Sequence, residues 1–176
     1  LDSILTGVME WGMDEGIVLD GVLAISEAQR AAFWRLREEQ SEGQRRLGSQ
    51  LKHDISVPPN QLVDFLVCAN DECNRLLKGV RINPFGHLGD GNVHYNLSPP
   101  TGKTDFSNLE DEFAIRLGRL ATDMGGSFAA EHGIGRTKAD LADRLQDPVE
   151  RNMMVSLKKA LDKDNNLNPD VLFSIK

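Results

Sequence analysis

The chain is short of several things that would open other functions to it. No stretch approaches the roughly 18 consecutive apolar residues of a membrane-crossing helix. A basic surface is missing too: 20 Lys and Arg against 27 Asp and Glu leave a net charge of −7. Neutralising phosphates needs a cationic face, so this balance speaks against a nucleic-acid partner. The basic doublets Arg45-Arg46 and Lys158-Lys159 have acidic neighbours and read as solvated helix faces. Cysteine is scarce, with only Cys68 and Cys73, five positions apart in one expected helix and pointing to different sides. Two unframed thiols suit a reducing, cytoplasmic setting. Repeats, low-complexity tracts and linkers are absent, so the 176 residues are expected to form one α+β domain with a mostly antiparallel sheet. The first residue is Leu1 rather than Met, which suggests a piece of a longer protein.

What is present is a readable alternation of periods. Helical spacing marks residues 2–16, and residues 17–25, rich in β-formers, read as a strand interrupted at Asp20-Gly21. Ser26-Glu27-Ala28-Gln29 is a capping-box pattern that opens a helix through Phe33 and Leu36. Residues 51–57 alternate as a strand, closed by Pro58-Pro59. Residues 60–78 form the clearest long helix, with Leu62, Phe65, Leu66, Ala69, Cys73, Leu76 and Leu77 on one face. Strands are expected over 80–85 and 93–97 around a glycine-rich turn. A second capping box, Ser107-Asn108-Leu109-Glu110, leads a helix carrying Phe113, Leu117, Leu120 and Met124. A short strand over 127–130 and a glycine-rich loop follow, and Asp147-Pro148-Val149-Glu150 starts the last helix.

Three of the four histidines stand in glycine-rich loops or at strand edges. In Gly86-His87-Leu88-Gly89-Asp90-Gly91-Asn92-Val93-His94, Asp90-Gly91 is a strong two-residue hairpin signal. A tight turn there sets Gly89 opposite Asn92, Leu88 opposite Val93 and His87 opposite His94, close enough for both imidazoles to share one ion. Alternation adds Asn96 to the His94 face and turns Val93, Tyr95 and Leu97 into the core. A bare surface hairpin with two exposed histidines is the plainer alternative. Glu131-His132-Gly133-Ile134-Gly135-Arg136 offers a carboxylate and a second imidazole. Together the two stretches make a two-His-one-carboxylate metal site with an acid–base histidine beside it. In Leu51-Lys52-His53-Asp54-Ile55-Ser56-Val57, Lys52, Asp54 and Ser56 share one face and His53 joins the apolar one. His53 therefore reads as packing, and Lys52 as a cation for an anionic substrate.

These two histidine stretches, in this order, resemble the double signature of the C-terminal domain of FAD-linked oxidases. That family takes in D-lactate dehydrogenases, glycolate oxidase subunits and D-2-hydroxyglutarate dehydrogenases, with a flavin domain of the vanillyl-alcohol-oxidase type. Phe33-Trp34-Arg35-Leu36-Arg37-Glu38 resembles the family's Trp-x-x-Arg-Glu helix, and Lys52-His53-Asp54-Ile55-Ser56-Val57-Pro58 its Lys-x-Asp-x-Ser-x-Pro strand. Leu167-Asn168-Pro169 is similar to the closing Leu-Asn-Pro-Gly-Lys, although Asp170-Val171 stand where Gly-Lys is usual. The resemblance implies a ferredoxin-like α+β domain, present in part. It also implies roles: His87, His94 and Glu131 as ligands of a divalent metal, zinc or manganese, and His132 as catalytic base. Arg37, Ser41, Lys52 and Asn96 would contact substrate, and Asn168 would approach the flavin.

On this reading the chain carries the substrate- and metal-binding part of a flavin-dependent D-2-hydroxy-acid dehydrogenase, with FAD held mainly by another domain. No glycine-rich nucleotide-binding segment occurs here. The expected partners are a small 2-hydroxy acid and an electron acceptor of the quinone, electron-transfer-flavoprotein or cytochrome kind, with a homodimer and a mitochondrial or peripheral-membrane setting also compatible. Two other readings stay open at this point: a metal-dependent hydrolase, and a metal- or ligand-binding module without catalysis.

Overall fold

The alternating strands form a three-stranded antiparallel sheet in the computed structural model, which describes residues 2–46 and 48–173. The strands are β1 (Leu51–Ser56), β2 (Arg81–His87) and β3 (Asn92–Ser98), in the order β1-β3-β2. Helices complete an α+β fold, as expected. Contacts group the chain into two compact units, Leu1–Arg46 and Leu47–Lys176.

The first unit holds α1 (Asp2–Asp14), α2 (Glu27–Glu38) and α3 (Gln40–Arg45). Ser26 caps α2 as read, its hydroxyl accepting from the Gln29 N–H at 3.2 Å. The Gln29 side chain reaches back one residue further than the motif predicts, accepting from the Ile25 N–H at 2.8 Å. Residues 17–25 do not form the expected strand. β-Forming side chains make a strand only where a neighbour completes the ladder. No described segment pairs with this one, and Leu19, Val22 and Ile25 lie exposed.

The second unit is built on the sheet. The 3₁₀ turn Pro59–Gln61 leads into α4 (Leu62–Leu76), and α5 (Glu110–Asp123), α6 (Ala139–Leu145) and α7 (Pro148–Leu161) follow β3. The inward face of α4, with Leu62, Phe65, Ala69 and Cys73, is buried as its periodicity predicts. It meets Ile55, Val93, Tyr95 and Leu97 from the sheet and Phe113, Leu117 and Ala121 from α5. Each large side chain in such a core contributes about 1.5–3 kcal/mol. Tyr95, fully buried, donates its hydroxyl to Asn70 Oδ1 at 2.7 Å, so its polar end is satisfied. Cys68 and Cys73 are both free thiols.

Three local readings change. The helix after residue 107 starts at Glu110 without a side-chain cap, because Ser107 and Asn108 adopt positive φ of 58° and 63° in the preceding turn. Residues 127–130 make one bridge, Ser127 to Ser56, instead of a strand. Helix α6 follows the glycine-rich loop and lacked a legible start, since its N-cap is Lys138 with no side-chain bond. The cap of α7 is as read: Asp147 Oδ1 accepts from the N–H groups of Val149 and Glu150 at 2.8 and 3.1 Å.

Gly91 ties the turn before β3 to the end of β1. Gly91 has a φ of 71°, its carbonyl accepts from the Val57 N–H at 3.0 Å, and a Cβ there would lie 1.8 Å from the Val57 oxygen. A Gly91→Ala variant combines a left-handed φ with a backbone clash and should lose at least about 2 kcal/mol. Thermal unfolding should show a fall in Tm of roughly 5 °C or more.

His53 packs as its alternation predicts. Its Nε2 is shut off from solvent without a partner, and burial, aided by the charge of Lys138, lowers its pKa from 6.5 to about 4. The folded state therefore binds fewer protons than the unfolded one between these values. Stability from this group is whole above pH 6.5 and is lost as pH falls towards 4. Urea unfolding should show the wild type losing up to about 3 kcal/mol more than His53→Leu across that window. A difference between the two that does not change with pH would refute this account.

Candidate functional site

Three stretches of chain converge on the polar face of the sheet. Register pairs Lys52 with Asn96 and Asp54 with His94, and directly opposed residues share a face. From β2, Phe85 pairs with His94 and His87 with Asn92. This corrects the tight-turn expectation: His87 does not face His94. The connection has four residues, 88–91, and Asp90 Oδ1 accepts from the Asn92 N–H at 3.1 Å, folding Asp90-Gly91 into the end of the loop. The hydrophobic pattern could not reveal this, because a two-residue slip leaves every side chain on its own face. His87 and His94 are thus diagonal neighbours on one face, about 7–8 Å apart at their Cα atoms.

Glu131 spans the gap. Its Oε1 stands 3.7 Å from His87 Nδ1 and its Oε2 stands 3.9 Å from His94 Nε2. Both contacts are too long for hydrogen bonds. They come close to the separation of about 3.4 Å between two donors that each sit about 2.1 Å from a shared tetrahedral ion. Two imidazole nitrogens and a carboxylate are also the donor types that suit zinc or manganese. The donor types therefore suit a divalent ion, although the three residues whose ligand atoms lie closest together are Asp54, His94 and His132.

What brings Glu131 there is Asp54, a residue the sequence reading did not single out. Its main-chain carbonyl accepts from the Ala130 N–H at 3.2 Å. Its Oδ2 accepts from the N–H groups of both Glu131 and His132, each at 2.8 Å. One residue of β1 thus holds three successive amides of the loop. Asp54 is only 3% exposed. Burial alone would push its carboxyl up, but the two amides, with His132 and Lys138 nearby, outweigh this and hold it below its ordinary range. Its other oxygen, Oδ1, is buried without a hydrogen bond and faces His94 Nδ1 at 3.6 Å.

His132 stacks on His94, with ring centroids 5.7 Å apart and planes 24° from parallel. Its Nδ1 lies 3.7 Å from Asp54 Oδ2. Ligand atoms of Asp54, His94 and His132 all fall within 4.8 Å of one another, an alternative grouping for a cation. Asp54 Oδ2 is committed to two amides while its Oδ1 has no hydrogen bond, and the Glu131 side chain is 47% exposed.

The remaining predicted positions are distributed. Lys52 is exposed on the same face, two residues along β1 from Asp54, and Asn96 opposite it is buried. A cleft of about 340 Å³ takes in Lys52, His53, Lys138 and Arg144 beside β1, α5 and α6, but not His87, His94, Glu131 or His132. The histidine cluster lies instead on an open face. Arg37 and Ser41 belong to the first unit, where the Arg37 guanidinium lies 5.4 Å from the Trp34 ring centroid. Asn168, with φ of 47°, sits in a tail turn tied to the loop beyond His132. Arg136 donates to the Pro169 carbonyl at 3.1 Å, and the Leu172 N–H to the Gly135 carbonyl at 3.1 Å. A buried Asp among the apolar residues of β1 was the available cue to Asp54; its pairing with His94 needed the register.

Comparison with known proteins gives the class. Residues 3–172 match the family model "FAD linked oxidases, C-terminal domain", and the chain belongs to that family. Among its relatives is a D-2-hydroxyglutarate dehydrogenase of Xanthomonas citri pv. viticola, 35% identical over 98% of this chain and 37% of the relative. The mitochondrial D-2-hydroxyglutarate dehydrogenase of Arabidopsis thaliana is 33% identical over 89% of this chain and 27% of its own length. That of Rattus norvegicus is 30% identical over 94% of this chain and 30% of the relative. The chain thus spans about a third of the length of these curated relatives. Among the described residues no helix is long and apolar enough to cross a membrane.

Proposed function

We propose that this chain is the substrate- and metal-binding part of a flavin-dependent dehydrogenase that oxidises a D-2-hydroxy acid, D-2-hydroxyglutarate by preference, to the 2-oxo acid. The observation that carries the reading is the Glu131 carboxylate spanning His87 and His94 with His132 stacked alongside. Family membership and the names of the relatives support the reaction class over the hydrolase and the non-catalytic module. The mitochondrial relatives make an organellar setting a counterpart to the cytoplasmic one.

His87, His94 and Glu131 would hold the divalent ion, and Asn168 would approach FAD. When bound, the ion supplies Lewis-acid polarisation of the 2-hydroxyl and FAD supplies the acceptor for the hydride of C2. The imidazole of His132, with 68% of its side chain exposed, takes the hydroxyl proton. Lys52 and Arg37 are each assigned to a substrate carboxylate, and the relatives named for D-2-hydroxyglutarate favour a dicarboxylate. Ser41 and Asn96 add polar contacts to the substrate. The released electrons pass to an external acceptor, and both compact units serve one substrate domain.

Kinetics and metal analysis of the flavin-loaded protein test the roles separately. His132→Ala should lower kcat by about 10²–10⁴-fold with metal content intact. His94→Ala should lose metal and activity together. Arg37→Ala should mainly raise KM, since the carboxylate it holds keeps its charge throughout. If His132→Ala strips the metal while His94→Ala retains it, ligand and base have been exchanged in this assignment. Turnover of D-lactate but not D-2-hydroxyglutarate would refute the dicarboxylate preference.

A further inference from the structure

Asp54 does more than anchor a loop. Its two oxygens address two different imidazoles, Oδ1 facing His94 Nδ1 at 3.6 Å and Oδ2 facing His132 Nδ1 at 3.7 Å. In both rings Nδ1 is therefore turned to the same buried carboxylate. On the far side of the first ring, His94 Nε2 meets the half-exposed Glu131. These separations exceed a hydrogen bond, so the carboxylate acts on the rings as a fixed negative charge. A negative charge facing an imidazole nitrogen favours an N–H there over a lone pair, and the preference grows as water is excluded. Glu131 exerts the same pull on His94 Nε2, but from a solvated position that weakens it. Asp54, 3% exposed and pinned by two amides, wins.

We propose that Asp54 is a positioning residue that sets the tautomer of both histidines, keeping Nδ1–H inward and the Nε2 lone pairs outward. The inference rests on the reading of His94 as ligand and His132 as base, and it supplies what each needs. A ligand must present a lone pair to the ion, and a base must present one to the substrate hydroxyl.

The test is Asp54→Asn, which preserves the shape of the side chain. The N–H groups of Glu131 and His132 need an acceptor, so the new amide oxygen takes the Oδ2 place and the NH₂ group faces His94. The NH₂ group facing Nδ1 then favours a lone pair there and the proton on Nε2, where it blocks metal binding. Zn²⁺ affinity, measured by competition with Co²⁺ and its visible absorption, should weaken by about 10–100-fold, with thermal unfolding little changed. Asp54→Asn binding Zn²⁺ as tightly as the wild type would overturn the proposal, and so would a wild type that binds neither ion. Should the variant fold poorly, ¹⁵N spectroscopy of histidine-labelled, metal-free wild type decides the matter. Nδ1–H on neutral His94 and His132 is expected, and Nε2–H on either overturns it. Activity is not read in these measurements, so their failure and the failure of the dehydrogenase reading are distinguishable.

Discussion

The polar face depends on one buried carboxylate accepting from two consecutive amides. Without the bonds from Glu131 and His132 to Asp54, the loop beyond Ser127 would be tied to β1, among the described residues, by the Ser127 bridge and the bond from the Ala130 N–H to the Asp54 carbonyl. Burying a charge costs several kcal/mol unless its lone pairs are engaged. Here Oδ2 is engaged twice and Oδ1 not at all by hydrogen bonds. A half-satisfied buried carboxylate is unusual enough to require an explanation, and the two imidazoles that face it provide one. The link between the two histidine signatures is therefore a third element, β1, which touches both.

Geometry elsewhere supports that link. The turn before β3 docks on the end of β1 through Gly91, and the Ser127 bridge closes on Ser56 two residues from Asp54. A Cβ at Gly126 would lie 2.0 Å from the Ser56 carbonyl oxygen, so the approach of the loop to β1 needs glycine there as it does at Gly91. Beyond His132 the tail at residues 168–172 bonds to Gly135 and Arg136, fixing the other end of the loop. The loop is thus clamped on both sides of Glu131 and His132.

Much of this was legible from residue order because local signals and burial agree. The α4 periodicity, the alternation of β3 and the Asp147 cap each state a preference that the tertiary structure also satisfies. The misreadings share a cause. Residues 17–25 have β-forming side chains but no neighbouring strand, and propensity cannot supply one. The hairpin at 88–91 has two registers that bury the same side chains, and the Asp90 side-chain bond and the Gly91 carbonyl bond to Val57 go with the observed one. Asp54 was assigned to the correct face, yet its function lay in cross-strand pairing with His94 and in bonds to residues 77 and 78 positions away. Long-range pairing of that kind leaves no periodic trace.

The two stacked imidazoles also differ in exposure, and that difference sorts their chemistry. His94 is 21% exposed, packed beneath Phe85 and opposite Asp54, with one nitrogen turned to Glu131. His132 is 68% exposed and fixed chiefly through its backbone. A metal ligand works best when its ring cannot rotate away from the ion, which favours the sheltered histidine on a strand. A general base must reach a substrate proton and hand it on to water, which favours the exposed histidine on a loop. On the assignment proposed for the two rings, one carboxylate orients both, so the lone pair for an ion and the lone pair for a proton are placed by the same rigid group.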